Sequence, residues 1–180
     1  GDLHGDRQPQ PAALGVAGPV VPGAGELGEQ VAALVGGDAR PVVGDAHVDE
    51  IVEKGGRAIA STASVTDADA VRATVAEAVD TFGSLDAVVN NAGITRDGFF
   101  HKMEESDFDA VLKVHLYGAF NVSRAAADVF RRQGSGSCIH MTSTSGMIGN
   151  LAQANYSAAK MGMLALSKSI ALDLARWGVR

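Results

Sequence analysis

A single cysteine, Cys138, denies this 180-residue chain any internal disulfide, and no arginine-rich or signal-like stretch opens it. Both absences fit a reducing cytoplasm, and Cys138, set in an apolar run, reads as core. Basic charge is scarce too: 15 Lys and Arg against 21 Asp and Glu give a formal net charge of -6. That balance leaves no basic face for a phosphate backbone, which excludes nucleic acid as a partner, and the acids are scattered rather than gathered in a tail. Long apolar runs are missing. The longest strongly apolar stretch, Met161 to Leu166, is followed by Lys168 and falls far short of the ~18 residues that cross a membrane. No set of metal ligands is read either. What is there is ordinary for a soluble globular chain, 46% hydrophobic and 20% charged, enough to bury one core.

From residue 20 onward, short apolar runs alternate with helical periods, which predicts an α/β fold with a parallel sheet covered by helices on both faces. Residues 20–180 form one domain in this reading, and 1–19, carrying Gly, Pro, Gln and Asp without period, are an irregular arm or a degraded first strand. The periodicity predicts a helix over 26–35, with Leu27, Val31, Leu34 and Val35 on one face and Gly36 as its left-handed cap. Arg40 to Gly44 and Arg57 to Ser61 read as strands. Thr66 with Asp69 makes a capping box for a helix through Val71, Val75, Val79 and Phe82, ended by Gly83. Leu85 to Asn90 is a buried strand. Ser106 with Asp109 makes a second capping box, opening a long helix whose stripe is Phe108, Leu112, Leu116, Ala119, Phe120, Ala126 and Phe130. A strand follows at Ser137 to Thr142, then a helix from Asn155 to Trp177 stopped by Gly178. Gly178-Val179-Arg180 reads as a helix cap entering another strand, so the sheet is expected to be incomplete, with its last strands missing.

The sharpest chemical signal is Tyr156-Ser157-Ala158-Ala159-Lys160, because a four-residue spacing on a helix stacks a phenol and an ammonium on one face. A tyrosine, with an ordinary pKa near ~10, is a poor base at neutral pH, but an adjacent cation favours the phenolate and makes proton transfer accessible. Alone, such a pair is more often a solvated helix face. Its company changes the reading: Ser143 lies at the end of one strand and Asn90-Asn91-Ala92-Gly93 at the end of the one before, and ligands of open α/β sheets bind at the carboxyl ends of strands. His140 lies an odd number of residues from Ser143 and points to the opposite face. No histidine and acid are spaced to make Ser143 a hydrolase nucleophile. Upstream, Gly23-Ala24-Gly25-Glu26-Leu27-Gly28 reads as a G-x-G-x-x-G turn opening a helix, whose amides would approach a pyrophosphate. The alternative, an ordinary glycine-rich turn, stays open, since Glu26 puts a carboxylate in the first helical turn and the strand before it, Gly18-Pro19-Val20-Val21, is short and holds a proline. Asp45 closes the second strand seventeen residues past Gly28, near the distance at which a carboxylate accepts bonds from adenosine ribose hydroxyls. That favours NAD over NADP, although an Asp there also serves as a helix cap or turn former.

From Leu85 to Arg180 the chain resembles the short-chain dehydrogenase/reductases, in its Asn-Asn-Ala-Gly strand end, its serine and its Tyr-x-x-x-Lys. The resemblance implies a Rossmann-like doubly wound parallel sheet, a nicotinamide cofactor, and Tyr156 as general acid/base. It further implies that Ser143 hydrogen-bonds the reacting oxygen and that Lys160 supports the tyrosine and holds the nicotinamide ribose. The wording Gln153 to Lys160, after Gly149-Asn150, is especially similar to 3-oxoacyl reductases and to the hydroxyacyl-CoA dehydrogenase units of multifunctional β-oxidation enzymes, so a 3-oxoacyl or 3-hydroxyacyl thioester is the expected substrate. The family's fourth catalytic position, usually Asn, falls on His115, within a Val114-His115-Leu116-Tyr117-Gly118-Ala119-Phe120 context that resembles the β-oxidation dehydrogenases. Asn121 does not replace it, because six residues rotate a side chain by roughly 240°. His115 either orders a water in a proton relay or is a histidine satisfied by helix packing. The family's Thr-Gly-x-x-x-Gly-x-Gly turn is altered here, with Pro22 for the threonine and one residue fewer between glycines. Its adenine contact falls at Ser64 and Val65, and Asn91, Ala92 and Gly93 border the cofactor. The two long helices, Ser106 to Arg132 and Asn155 to Trp177, imply a homo-oligomer, dimer or tetramer.

Two rivals remain at this level: a dinucleotide-fold binding module that has lost its cofactor, and a nucleotide-sugar epimerase or dehydratase, against which the Gly149 to Lys160 wording argues. By the resemblance, two more strands and the loop that closes over substrate would follow Arg180. The 180-residue stretch alone is therefore expected to bind NAD poorly and to turn over little, and isothermal titration returning micromolar binding would overturn that expectation.

Overall fold

The computed structural model describes residues 34–36, 40–43 and 45–180. The expected arm, the strand at 18–21, the glycine turn with Gly23, Gly25 and Gly28, and the helix expected at 26–35 as far as residue 33 lie outside them. Strands β1 (Leu34–Gly36), β2 (Arg40–Val43), β3 (Ile59–Ala60), β4 (Ala87–Asn90) and β5 (Ser137–His140) make one sheet in the order β3-β2-β1-β4-β5. Helices α1 (Asp45–Glu53), α2 (Ala68–Phe82), α3 (Glu105–Leu112), α4 (Gly118–Gln133), α5 (Thr144–Ile148) and α6 (Ala154–Leu174) alternate with it.

The β2–β3 and β4–β5 pairs are parallel, as expected of a Rossmann-like sheet. β1 departs from the pattern. It runs antiparallel to both β2 and β4, and it occupies Leu34, Val35 and Gly36, where the periodicity predicted the end of a helix and its cap. Three residues separate β1 from β2, too few for the crossover of a dozen or more that parallel neighbours require, so the pair closes as a hairpin. After α6, Gly178 turns the chain with φ 70, Val179 bridges Gly136 in parallel, and Cys138 N–H donates to Arg180 O at 2.7 Å. The expected strand entry beside β5 is thus present.

Local chemistry sets the helix starts one residue after the expected cap in α2 and two residues before it in α3. Asp67, not Thr66, caps α2: its carboxylate accepts from Asp69 N and Ala70 N at 3.0 Å each, and a charged acceptor at an N-terminus is the stronger partner. Gly83 ends α2 in the left-handed region (φ 85), as expected. α3 begins at Glu105, so Ser106 is already inside its first turn, and Asp109 pairs with Lys113 at 3.4 Å instead of capping. Between α3 and α4 the helix continues through a π-turn, Lys113–Tyr117, which adds a residue and shifts the buried stripe. Val111, Val114, Ala119, Val122, Ala126 and Phe130 are buried, whereas the expected Phe120 is 49% exposed.

The core lies between the sheet and the α2–α4 layer and is built mostly of valine, with Val65, Val71, Val75, Val88 and Val122 around the fully buried Phe130. No helix among the described residues is long and apolar enough to cross a membrane. Phe130 is the largest of the fully buried side chains, and a Cβ at Gly136 would stand 2.3 Å from its ring. Phe130→Ala is expected to lower the unfolding free energy by about 3–5 kcal/mol, read as a drop in urea midpoint at unchanged m-value.

Candidate active site

The parallel register Asn90↔His140 brings the carboxyl ends of β4 and β5 to one edge, so Asn91-Ala92-Gly93 and Met141-Thr142-Ser143 leave the sheet side by side. Against this edge α6 lays Tyr156 and Lys160 on a common face, with Lys160 Nζ 5.5 Å from the centroid of the phenol ring. Lys160 is 4% exposed, and its ammonium donates to Met141 O at 2.5 Å. Thr142 Oγ1 donates to Lys160 O at 3.1 Å, a second tie between the strand exit and the helix. Burial lowers the lysine's pKa. α5 presses on the same turn: a Cβ at Gly146 would lie 2.9 Å from Met161 N and 3.0 Å from Lys160 Cβ. Ser143 opens α5, where its Oγ accepts from Ser145 N at 3.2 Å.

His115 sits in the π-turn, 3% exposed, with its ring edge-on to Tyr156 at 5.2 Å and 84°. Nε2 lies 2.8 Å from Ile94 O and 3.2 Å from Ile94 N. The shorter contact has Nε2–H donate to the carbonyl, which leaves Nδ1 as a buried lone pair with no protein partner among the described residues. Burial holds the imidazole pKa below its ordinary value, the Ile94 bond opposes this, and the Lys160 charge adds to the lowering. Gly93 is the price of this wedge: a Cβ there would stand 2.3 Å from His115 Cε1. Asn121 is turned away, as the rotation predicted, and donates to Val65 O at 2.8 Å.

Several supporting residues carried no motif. Asn155, fully buried, donates to Arg96 O at 2.8 Å and Asp107 O at 3.4 Å and accepts from Tyr156 N at 2.8 Å, tying the loop after β4 to the first turn of α6. Gln153 Nε2 donates to Asp97 at 3.0 Å, and Gly98 N–H donates to Ala152 O at 2.8 Å. Ala152 takes φ 61, the left-handed region, to aim that carbonyl. The signal for Asn155 was its place beside Tyr156 at a helix start, where Asn side chains bond local backbone. On the other face of the strands, Asn90 Nδ2 donates to Ser123 Oγ at 3.1 Å, and Ser123 Oγ lies 3.2 Å from His140 Nε2. His140 therefore points away from the Ser143 side, as its spacing predicted. Burial lowers its pKa, and burial pushes the neighbouring Cys138 thiol up to about 11, partly offset by a hydrogen bond from Ser123.

The expected cofactor contacts are only partly described. Asn91 is exposed, and Ala92 packs against the core. Ser64 Oγ is 2.8 Å from Thr66 Oγ1, and the side chain of Val65 is buried in the core. Asp45 is the first residue of α1, two positions past the end of β2.

Residues 20–180 match the family described as short chain dehydrogenase. A short-chain type dehydrogenase/reductase of Mycobacterium tuberculosis is 44% identical over 178 residues, 89% of this chain and 62% of that protein. The peroxisomal hydratase-dehydrogenase-epimerase of Neurospora crassa is 47% identical over 135 residues, 75% of this chain and 15% of that protein. The 3-oxoacyl-acyl-carrier-protein reductase of Staphylococcus aureus is 46% identical over 135 residues, 75% of this chain and 55% of that protein. Among solved structures, NAD+-bound xylitol dehydrogenase matches at TM-score 0.74 and 31% identity, over 76% of this chain and 53% of that one. A gluconate 5-dehydrogenase of Burkholderia cenocepacia in complex with NADP and tartrate matches at TM-score 0.72 and 30% identity, over 75% and 53%. The chain spans less than two thirds of the length of each of these relatives.

Because the folded His115 resists protonation, the unfolded chain binds the extra proton first as pH falls through the ordinary value of 6.5. Stability is full above that value and is lost progressively below it, down to the folded pKa. A thermal-denaturation series from neutral to acid pH should fall less steeply for His115→Asn than for the native sequence.

Proposed function

Because the chain belongs to the short chain dehydrogenase family over residues 20–180, we propose that the protein it represents is an NAD-dependent oxidoreductase acting on a 3-hydroxyacyl or 3-oxoacyl thioester, with Tyr156 as general acid/base. The observation that carries this reading is the meeting of three side chains from two helices at one sheet edge: Lys160 Nζ 5.5 Å from the Tyr156 ring centroid and His115 edge-on to it at 5.2 Å.

In the reducing direction Tyr156 gives its phenolic proton to the carbonyl oxygen as that carbon becomes a carbinol, and in the oxidising direction it takes the proton back. The buried Lys160 cation stabilises the charge that develops on the phenol oxygen. Ser143 hydrogen-bonds the reacting oxygen. A bound nicotinamide supplies or accepts the hydride. The residues fit its ribose: of the three donors of the buried ammonium, one is bonded to Met141 O among the described residues, and two remain for ribose hydroxyls. His115, a neutral acceptor at Nδ1, orders a water that returns a proton to the tyrosine. Asp45, at the start of α1, takes the adenosine ribose, which favours NAD, while the Gly23, Gly25 and Gly28 turn takes the pyrophosphate and Ser64 with the Val65 backbone borders the adenine. Asn91, Ala92 and Gly93 border the nicotinamide side. Residues 20–180 act as one dinucleotide-binding domain.

The thioester is supported by relatives whose names are those of a 3-oxoacyl reductase and a hydratase-dehydrogenase-epimerase. Apolar side chains exposed on the two segments that flank the start of α6, namely Phe99, Phe100, Met147, Ile148 and Leu151, suit an acyl chain. Exposed Tyr117, Phe120 and Met161 on the helices suit a homo-oligomer, and the single cysteine suits a reducing cytoplasm. The full-length protein incubated with acetoacetyl-CoA and each reduced nicotinamide should consume NADH, followed at 340 nm. Tyr156→Phe should remove turnover while cofactor affinity stays nearly intact, and retained turnover would take the tyrosine out of its role. Unchanged NADH fluorescence on adding the native protein would instead mark a non-catalytic binding module.

A further inference from the structure

We propose that Asn90, Ser123 and His140 form a positioning circuit that fixes the Met141 carbonyl and, through it, the direction of the Lys160 ammonium. This rests on the reading of Lys160 given above; Asn90 opens the Asn-Asn-Ala-Gly strand end, while Ser123 and His140 lie outside the family's motifs.

The circuit closes on itself. Asn90 and His140 are register partners on β4 and β5, so their side chains leave the same face of the sheet, toward α4. There Asn90 Nδ2 donates to Ser123 Oγ at 3.1 Å and Ser123 Oγ meets His140 Nε2 at 3.2 Å. The return path is backbone: His140 precedes Met141, whose N–H donates to Asn90 O at 3.1 Å. Met141 lies just past the end of β5, and this bond continues the pairing one residue beyond the strand. Its own carbonyl then receives the Lys160 ammonium at 2.5 Å. The sheet thus controls a catalytic-face carbonyl from its opposite face.

The half-buried imidazole carries a cost, because its enclosed Nδ1 has no partner among the described residues. An aliphatic residue would pack there without that cost, so the imidazole's contribution is sought at Nε2, the one end that is bonded. Ser123 and Asn90 are nearly inaccessible, at 2% and 4%. Without the third member, Ser123 would keep only the Cys138 thiol on β5, two residues short of the strand exit, and the exit itself would be held through its backbone. The groups facing Lys160 are Tyr156 on its own helix and His115 on the π-turn; those facing His140 are Ser123, Asn90 and the protonated Cys138 thiol.

A carbonyl that holds an ammonium favours its charged form, so a carbonyl that drifts lowers the lysine pKa further. The test is an NMR titration of [ε-13C]lysine in the full-length protein without cofactor, with the Lys160 resonance identified by its loss in Lys160→Arg. Ser123→Ala and His140→Leu should each lower the Lys160 pKa by about one unit, and each should cut kcat about tenfold at unchanged KM for the thioester reduction. His140→Gln, whose amide reaches the place of Nε2, should restore both. A Lys160 titration identical to the native one in whichever of the two variants folds, with only the melting temperature reduced, would overturn the proposal, since a purely structural role predicts that result. If the native protein proves inactive with every nicotinamide while the Lys160 pKa still moves, the circuit stands and the oxidoreductase reading alone fails.

Discussion

A positive charge taken out of water costs several kcal/mol unless a fixed dipole answers it, and in this chain the answer to the Lys160 ammonium is one backbone carbonyl, that of Met141. The carbonyl belongs to the residue after β5, so its position is inherited from strand pairing rather than from a flexible side chain. The rest of the edge follows from that choice. α6 must enter where its second turn brings the lysine over the strand exit, α5 must offer Gly146 because a side chain there would strike the Lys160 turn, and Thr142 locks the helix backbone to the same exit. Tyr156 then lies where the lysine's four-residue spacing puts it.

Much of this was legible because it depends on spacing within one element. The Tyr156–Lys160 face, the stop at Gly83, the turn at Gly178, the opposed directions of Ser143 and His140, and the misdirected Asn121 all follow from helical or strand periods. What could not be read depends on competition between neighbours. Thr66 and Asp67 are both able to cap α2, and a carboxylate next to free amides prevails only once the chain has chosen its first turn. The strand that claims Leu34 and Val35 pairs with Val88 and Ala87, more than fifty residues downstream and invisible to a local period. The short α5 packs on α6, and the anchoring role of Asn155 arises from contacts between the loop after β4 and the start of α6. The nucleotide end, with its altered glycine turn, falls outside the described residues.

Two histidines show how one residue type serves opposite faces of the same sheet edge. His115 is buried and His140 half-buried, both have a pKa lowered by desolvation, and each bonds through Nε2 while its enclosed Nδ1 has no partner among the described residues. His115 leans on the phenol, and Gly93 is required beneath it. His140 leans on a serine of α4 and touches no reacting group. Their neutral state at ordinary pH is therefore a shared condition, imposed by burial in each case, with different consequences on each side.

The π-turn at Lys113–Tyr117 makes the segment from Glu105 to Gln133 behave like two rods joined with an angular offset. Each residue advances a regular helix by about 100°, so one surplus residue is enough to rotate everything beyond it by more than a quarter of a circle. Val122, Ala126 and Phe130 face inward because the wide turn absorbs that surplus. Winding 113–117 into regular α-helix at unchanged length would carry those three side chains off the core, whereas removing one amino acid there would leave an unbroken cylinder with the same residues inward. The irregularity thus acts as a vernier, setting the imidazole at one end and the core at the other to independent headings.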